Sequence, residues 1–195
     1  MMKKKVFFPA LFITVLVAAC NNSGDSGASN DSTAVKSDTG SSAKVEINPS
    51  TVSKTDSEFM ISAANAGMTE VTLGNIAIKN SSNDKVKEFG QMMVKDHTAA
   101  GDQLKKIESY KNINLHDSLS EESKKHVADL EKKHGKDFDK AYISMMVEGH
   151  EKVLKQFEEI QTNGSDADLK AFAGQTIPII KGHLDSAKSI KDSMK

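Results

Sequence analysis

Apolar side chains recur at steps of three and four residues along the chain from about residue 56 onward. This spacing places apolar groups on one face of an α-helix, and no stretch shows the alternation expected of a β-strand. Polar clusters and glycines interrupt the pattern and divide it into separate helices. We predict five of them: α1 at about 57–80, α2 at 84–111, a short α3 near 120–134, α4 at 137–162 and α5 at 166–193.

The residues next to these segments predict where the helices begin and end. Asp56 or Ser57 is expected to cap the start of α1, because a short polar side chain can accept a hydrogen bond from a free backbone N–H. The segment Ser118-Leu119-Ser120-Glu121 is expected to form the capping-box start of α3. Gly135 is expected to end α3, because glycine adopts the left-handed conformation that commonly follows a helix.

The chain contains an internal repeat. Residues 89–97 resemble residues 142–150 at an offset of 53 residues, and Leu104 and Ile107 meet Phe157 and Ile160 at the same offset. This equivalence of α2 and α4 indicates two antiparallel hairpins, α1–α2 and α4–α5. The segment between the hairpins is long enough to cross the full height of a bundle. We therefore predict an all-α fold, a ferritin-like four-helix bundle with one long crossover that carries the short α3.

The first twenty residues resemble an export signal. Three lysines at 3–5 precede an apolar run at 6–17, which is too short to span a bilayer as a helix. The run ends in small residues before Cys20, which resembles the lipobox of bacterial lipoproteins. The resemblance implies a signal peptide at 1–19, cleavage before Cys20 and acylation of that cysteine. An ordinary secretory signal with a cysteine at its end is the alternative.

Residues 20–54 form the second predicted region, a disordered tether. The segment after Cys20 is rich in Ser, Gly, Asn and Asp and has almost no large apolar side chain. It buries too little apolar surface to offset the entropy of ordering the chain. The helical domain is then predicted at 55–195, attached to a membrane through the lipid on Cys20. We expect a protein of the bacterial cell envelope, in the periplasm on the outer membrane.

Composition excludes several classes of function. The chain has 26 basic and 27 acidic residues, and every basic residue is lysine. Without arginine it lacks the side chain that most often reads guanine edges and phosphates, so we expect no nucleic-acid partner. A single cysteine excludes an intramolecular disulfide and a two-cysteine metal site. The sequence identifies no protein partner.

Several segments carry a resemblance to a known family. The short segments at 67–71, 92–98, 138–142 and 177–184, together with His150, resemble the DUF4142 family over about residues 56–194. Members are exported bacterial proteins, often described as outer-membrane proteins, with a ferritin-like fold. The resemblance implies fold and location, and it implies no activity.

Polar residues at core-facing positions are the candidate site. Glu70 interrupts an apolar stripe on α1, and His97, His150 and His183 hold similar positions on α2, α4 and α5. His97 and His150 each lie about 14 residues from the turn of their own hairpin, about 21 Å along the helix axis. Because the two turns are expected at opposite ends of the bundle, all four residues are expected near mid-height.

This set predicts a metal site as one use of the core. Glu70, His97, His150 and His183 are the candidate ligands, and Met93, Asp96 and Met146 are candidate supporting residues. Imidazole and carboxylate suit Zn, Fe or Cu(II), and thioethers favour Cu(I). Cofactor identity is otherwise unknown.

Two other uses of the same residues are open. The histidines and Glu70 can form a structural polar core of a non-enzymatic binding or scaffold module, which we take as the leading hypothesis. They can also form a switch that gains charge near pH 6. We predict no enzymatic activity, since ferroxidases need Glu-x-x-His on two core helices. The single match, Glu131 with His134, is expected on a solvent-exposed face, as are His116 and His126.

Overall fold

A computed structural model describes residues 52–111 and 113–194. Cys20, the predicted signal peptide and the predicted tether up to residue 51 lie outside these residues. The described part is all-helical, and none of its helices is long and apolar enough to cross a bilayer. The five helices are α1 (Lys54–Asn80), α2 (Asp84–Lys111), α3 (Glu121–Glu131), α4 (Gly135–Asn163) and α5 (Ala167–Ser193).

The predicted helices are confirmed, with corrections at two ends. The prediction that Asp56 or Ser57 caps α1 is wrong, because Ser53 is the cap and its hydroxyl accepts from the backbone N–H of Asp56. The prediction that Gly135 ends α3 is also wrong. That helix stops at Glu131, and Gly135 is the first residue of α4, with a φ of 55°.

Two contacts between helix ends fix the topology of the bundle. At the turn between α1 and α2, the Ser81 hydroxyl donates to Asp139 Oδ1 near the start of α4, at 2.6 Å. At the other end, Asp56 on α1 accepts from the backbone N–H of Ser165, between α4 and α5, at 3.1 Å. The two hairpin turns therefore lie at opposite ends, and the crossover with α3 runs between the ends. This is the predicted ferritin-like connectivity.

The interior consists of two apolar clusters with a polar layer between them. One cluster includes Leu73, Phe89 and Tyr142, and the other includes Phe59 and Phe157. On every long helix the residues of one cluster precede the candidate polar residue and those of the other follow it. The layer holds Glu70, His97, His150 and His183.

Helices α1 and α2 touch backbone to backbone beside this layer. A Cβ at Gly74 would lie 2.8 Å from the carbonyl oxygen of Gly90, and a Cβ at Gly90 would lie 2.8 Å from the carbonyl oxygen of Gly74. These distances are too short for any side chain. The two glycines thus let the hairpin close tightly, which sets the spacing of the residues one or two turns away.

Replacing Gly90 by Ala is therefore expected to destabilise the fold. The new methyl group forces α1 and α2 apart, which we expect to cost about 2 kcal/mol, as overpacking of a filled core does. Gly182 is the matched control, because a Cβ there meets nothing within 4 Å. Gly182→Ala is expected to be neutral or stabilising by up to about 1 kcal/mol through helix propensity. Urea unfolding of both variants tests this, and equal stabilities would contradict it.

Candidate metal centre

Each of the four long helices supplies one buried polar residue at the same level. Glu70 comes from α1, His97 from α2, His150 from α4 and His183 from α5. Their exposed fractions are 6%, 9%, 0% and 2%. The structure thus places all four sequence-predicted residues in one interior layer.

The three imidazole rings converge on a common point. One nitrogen from each of His97, His150 and His183 lies within 4.8 Å of the other two. The ring centroids are 5.7, 5.2 and 5.4 Å apart. His150 Nε2 and His183 Nδ1 are only 3.3 Å apart. Two nitrogens bound tetrahedrally to one zinc ion are separated by about 3.3–3.4 Å, given Zn–N bonds of about 2.0–2.1 Å.

The other nitrogen of each ring contacts an oxygen acceptor. His150 Nδ1 lies 2.9 Å from the carbonyl oxygen of Met146, and His183 Nε2 lies 3.0 Å from Asp96 Oδ2. His97 Nδ1 lies 3.1 Å from Glu70 Oε2. Metal-binding histidines almost always donate their second N–H to a carboxylate, a carbonyl or water, which fixes the tautomer and the ring orientation.

Glu70 faces the outer side of this group. Its Oε2 contacts His97 Nδ1, and its Oε1 lies 3.4 Å from His150 Nδ1. The converging group contains the three histidines and not Glu70. The Glu70 carboxyl therefore contacts two of the rings from outside the group. The sequence suggested Glu70 as a fourth metal ligand, and the structure places it beside the ligands instead. Burial raises the pKa of Glu70 to about 8.

A count of protons shows that the histidine contacts are incomplete by themselves. Three contacts run in series from the Met146 carbonyl through His150 and His183 to Asp96, and each needs one proton. Two neutral imidazoles supply only two protons, since each neutral ring has one N–H. In one of the three contacts, two hydrogen-bond acceptors therefore face each other with no proton between them. A cation between His150 and His183 removes that conflict, because both nitrogens then direct lone pairs at it.

Burial also keeps the rings uncharged. Burial, together with the nearby His150 and His183, lowers the pKa of His97 to about 3, and burial with His183 lowers that of His150 to about 4. Burial lowers the pKa of His183, against the opposing effect of Asp96. Neutral imidazole is the form that binds metals. These directions disfavour the hypothesis that His97 and His150 gain charge near pH 6.

His97 has an unused nitrogen. Its Nε2 is buried and has no hydrogen-bond partner within the described residues. A buried polar atom without a partner costs about 1–3 kcal/mol, so such atoms are rare and call for an explanation. A ligand at the point where the three rings converge would satisfy it.

The three supporting residues differ in what they contribute. Asp96 holds His183, as described above, and Met146 contributes its backbone carbonyl to His150. The side chains of Met93 and Met146 belong to the apolar cluster around Phe89. The four remaining predicted surface residues, His116, His126, Glu131 and His134, are exposed.

One polar group near the site was not identified from the sequence as functional. The Tyr142 hydroxyl is buried, and no hydrogen-bond partner for it is found among the described residues. Burial raises the pKa of Tyr142, and the charge of Glu70 raises it further. The internal repeat could have identified this hydroxyl, because it aligns Tyr142 with Phe89 and so shows one polar group at an otherwise apolar position.

Comparisons with known proteins agree with this architecture. A solved structure, the "Crystal structure of DUF305 fragment from Deinococcus radiodurans", is similar with a TM-score of 0.66 and 10% identity, over 73% of this chain and 99% of that one. At this identity the likeness concerns the fold alone. The comparison with curated proteins found no match. The family described as "Domain of unknown function (DUF4142)" matches residues 41–190, and the chain therefore belongs to the DUF4142 family.

Proposed function

We propose that this protein binds one transition-metal ion through His97, His150 and His183. The observation that carries the proposal is the convergence of three buried ring nitrogens within 4.8 Å. The second nitrogen of every ring already contacts an oxygen acceptor, as in metal centres with ordered outer partners. The proton count also supports a cation, because the series of contacts from the Met146 carbonyl through His150 and His183 to Asp96 is one proton short.

The donor set narrows the choice of metal. Three neutral imidazoles suit zinc, copper and iron, and they do not suit magnesium or calcium, which prefer oxygen ligands. Three protein ligands leave at least one coordination position free, as in zinc sites that bind water or a small molecule. Glu70 and Asp96 would act as the outer partners that orient His97 and His183.

Metal analysis and melting test this proposal. The purified protein is expected to hold about one metal ion per chain, with a preference for Zn, Cu or Fe over Mg or Ca. At metal concentrations about a thousandfold above Kd, binding stabilises the native state by about 4 kcal/mol. For a protein of this size that corresponds to a melting temperature about 8–16 °C higher.

Exposed histidines provide the control for adventitious binding. A His116→Gln, His126→Gln double variant is expected to keep the metal content and the melting shift, because both side chains are exposed. Metal below about a tenth of a mole per mole, with no shift in melting, would contradict a site of this affinity.

A structural polar core is the second candidate function for these residues. In that case the layer only holds the helices in register and the protein works as a binding or scaffold module through its surface. The contacts of His150 with the Met146 carbonyl and of His183 with Asp96 are compatible with it, but the contact between the two rings then lacks a proton. The unpartnered His97 Nε2 favours the metal centre, because a purely structural network is expected to satisfy its buried donors and acceptors. Both candidates are non-enzymatic, and we propose no catalytic activity.

We also propose that the protein is attached to a membrane of the cell envelope through Cys20. A cysteine after small residues and an apolar run supports acylation, and the polar segment that follows would act as a tether. Radioactive fatty acid is expected to label the full chain in a bacterial host and to leave a Cys20→Ser variant unlabelled. Equal labelling of the two would contradict the anchor, and fractionation would show which membrane carries it.

A further inference from the structure

A pocket of about 400 Å³ opens on the side of the bundle. Its walls include residues 63–72 of α1, 97–105 of α2 and 172–180 of α5, which extend about 12–14 Å along the helix axes. His150 and His183 are not part of these walls, so the pocket is a site separate from the point where the three rings converge. Its volume is at the small end of the range for small-molecule sites.

Small residues on α1 and α2 keep this space open. Ala66 and Gly67 of α1 and Ala100 and Gly101 of α2 all line it. A Cβ at Gly101 would meet nothing within 4 Å, and a Cβ at Gly67 would meet only the His97 carbonyl oxygen, at 3.9 Å. The two helices therefore leave a gap here, in contrast to the glycine contact described above.

The inner wall of the pocket is apolar. Leu104, Phe157 and Phe172 line it, and each belongs to the buried core. Val153 and Ile180 extend this wall on α4 and α5. The part of a ligand that enters the pocket therefore contacts mainly carbon atoms, and removal of its apolar surface from water drives binding.

The polar groups of the inner wall are already engaged within the protein. Glu70 Oε2 contacts His97 Nδ1, and Glu70 Oε1 lies 3.4 Å from His150 Nδ1. The Thr176 hydroxyl donates to the carbonyl oxygen of Phe172, at 2.8 Å. His97 Nε2 is fully buried, so it has no surface in the pocket. A ligand therefore finds no free donor among these groups, and its inner part is expected to be apolar.

The mouth of the pocket carries charges of both signs. Asp102, Lys105 and Asp117 line the pocket and are exposed to solvent, as is His116. The two carboxylates outnumber the one ammonium group, so they repel a head group that is only negative. A head group with a positive part offsets the acidic excess, and a negative part beside it can pair with Lys105.

We propose that the pocket binds an amphiphile with one alkyl chain and a zwitterionic head group, the chemistry of a lysophospholipid. The chain lies in the apolar interior, and the head group stays at the mouth beside Asp102, Lys105 and Asp117. The length of the pocket supports a single chain. One leaflet of a bilayer is half of a hydrocarbon core of about 30 Å, so an acyl chain is about as long as this pocket.

A series of alkylphosphocholines from hexyl to tetradecyl tests this inference. Titration calorimetry below the concentration at which micelles form is expected to show one ligand per protein chain. Kd is expected to fall about fourfold for each added CH₂ until the pocket is full, and then to level off. Binding is also expected to lower the heat capacity, as burial of apolar surface does. A Kd that does not depend on chain length, or that never levels off, would overturn the assignment.

Two variants that fill the pocket test where the chain binds. Ala100→Leu and Ala66→Leu are each expected to weaken the binding of decylphosphocholine about tenfold or more, because the added carbons displace part of the chain. Ala99→Leu is the matched control, since Ala99 is exposed and is not part of the walls. Circular dichroism shows whether each variant is folded, and the chain-length series decides for the wild type if neither is. Unchanged affinity in both filling variants, or an equal loss in the control, would contradict the proposal.

Undecanoate tests the head group, because it carries the same decyl chain on a carboxylate. It is expected to bind about twofold to fivefold more weakly than decylphosphocholine, the range that exposed charge pairs provide. Equal affinities would overturn the choice of a zwitterionic head group. All of these results are expected to be the same with and without zinc, so the pocket and the metal centre stand or fall separately.

Discussion

Replacing His150 by Gln is expected to weaken metal binding by about two to three orders of magnitude. Structural zinc sites with four ligands bind with about 10–16 kcal/mol, so one ligand accounts for about 2.5–4 kcal/mol. His150 is fully buried, and its Nε2 lies 3.3 Å from His183 Nδ1, at the centre of the group. Competition with a chelator of known affinity measures the change.

Two further variants make this prediction specific. His126→Gln removes an exposed imidazole on α3 and is expected to leave the affinity unchanged. Asp96→Asn removes the charge that orients His183 and is expected to weaken binding about 10–100-fold, as loss of an outer partner does. If His150→Gln and His126→Gln had equal affinities, the three-histidine site would be wrong.

Replacing Asp56 by Ala is expected to destabilise the bundle by about 3 kcal/mol, because it leaves buried donors without an acceptor. Asp56 is fully buried at the start of α1. Its Oδ2 accepts from the backbone N–H groups of Ser165 and Asp166, each at 3.1 Å. The hydroxyls of Ser53 and Ser165 also donate to it. This one carboxylate therefore joins α1 to the turn between α4 and α5.

The same carboxylate makes stability depend on pH. Burial alone would raise the pKa of Asp56, but the hydrogen bonds from Ser165, Ser53 and Asp166 together hold it below its ordinary value. Its contribution is therefore complete above a pH of about 4 and is lost as the pH falls through the lowered pKa. Asp56→Asn is expected to show a weaker loss of stability in acid. Asp185→Asn, at an exposed position, serves as the control and is expected to behave like the wild type. Identical acid unfolding of all three proteins would contradict this role.

The overall architecture could be predicted from local patterns. The repeat at 89–97 and 142–150 identified two equivalent hairpins. The segment between them is long enough to run from one end of the bundle to the other, as it does in the structure. The start of α1 was misplaced because Ser53 and Asp56 are both competent caps. A contact more than a hundred residues away engages Asp56 and leaves Ser53 as the cap, and no local pattern contains that contact.

The level of the site was predictable, but its internal arrangement was not. Counting residues from each hairpin turn placed His97 and His150 at one height, and the structure brings them together with His183. Which ring nitrogen faces inward depends on side-chain rotation. The role of Glu70 beside Nδ1 of His97, and that of the Met146 carbonyl, therefore required coordinates.

The pocket was missed for a related reason. Alanines and glycines at 63–67 and 100–101 border a pocket of about 400 Å³, whereas Gly74 and Gly90 lie where the same two helices touch. Small residues permit either contact or empty space. The relative placement of the two helices decides between them, and that placement is set by side chains elsewhere in the core.

The origin of the three imidazoles has a mechanical consequence for the whole bundle. His97 belongs to one hairpin, and His150 and His183 belong to the other. An ion bound by all three would cross-link the two hairpins reversibly. Such a cross-link restricts the unfolded ensemble most when the loop that it closes is long. The stability of the association between the two hairpins would then rise with the metal concentration around the protein.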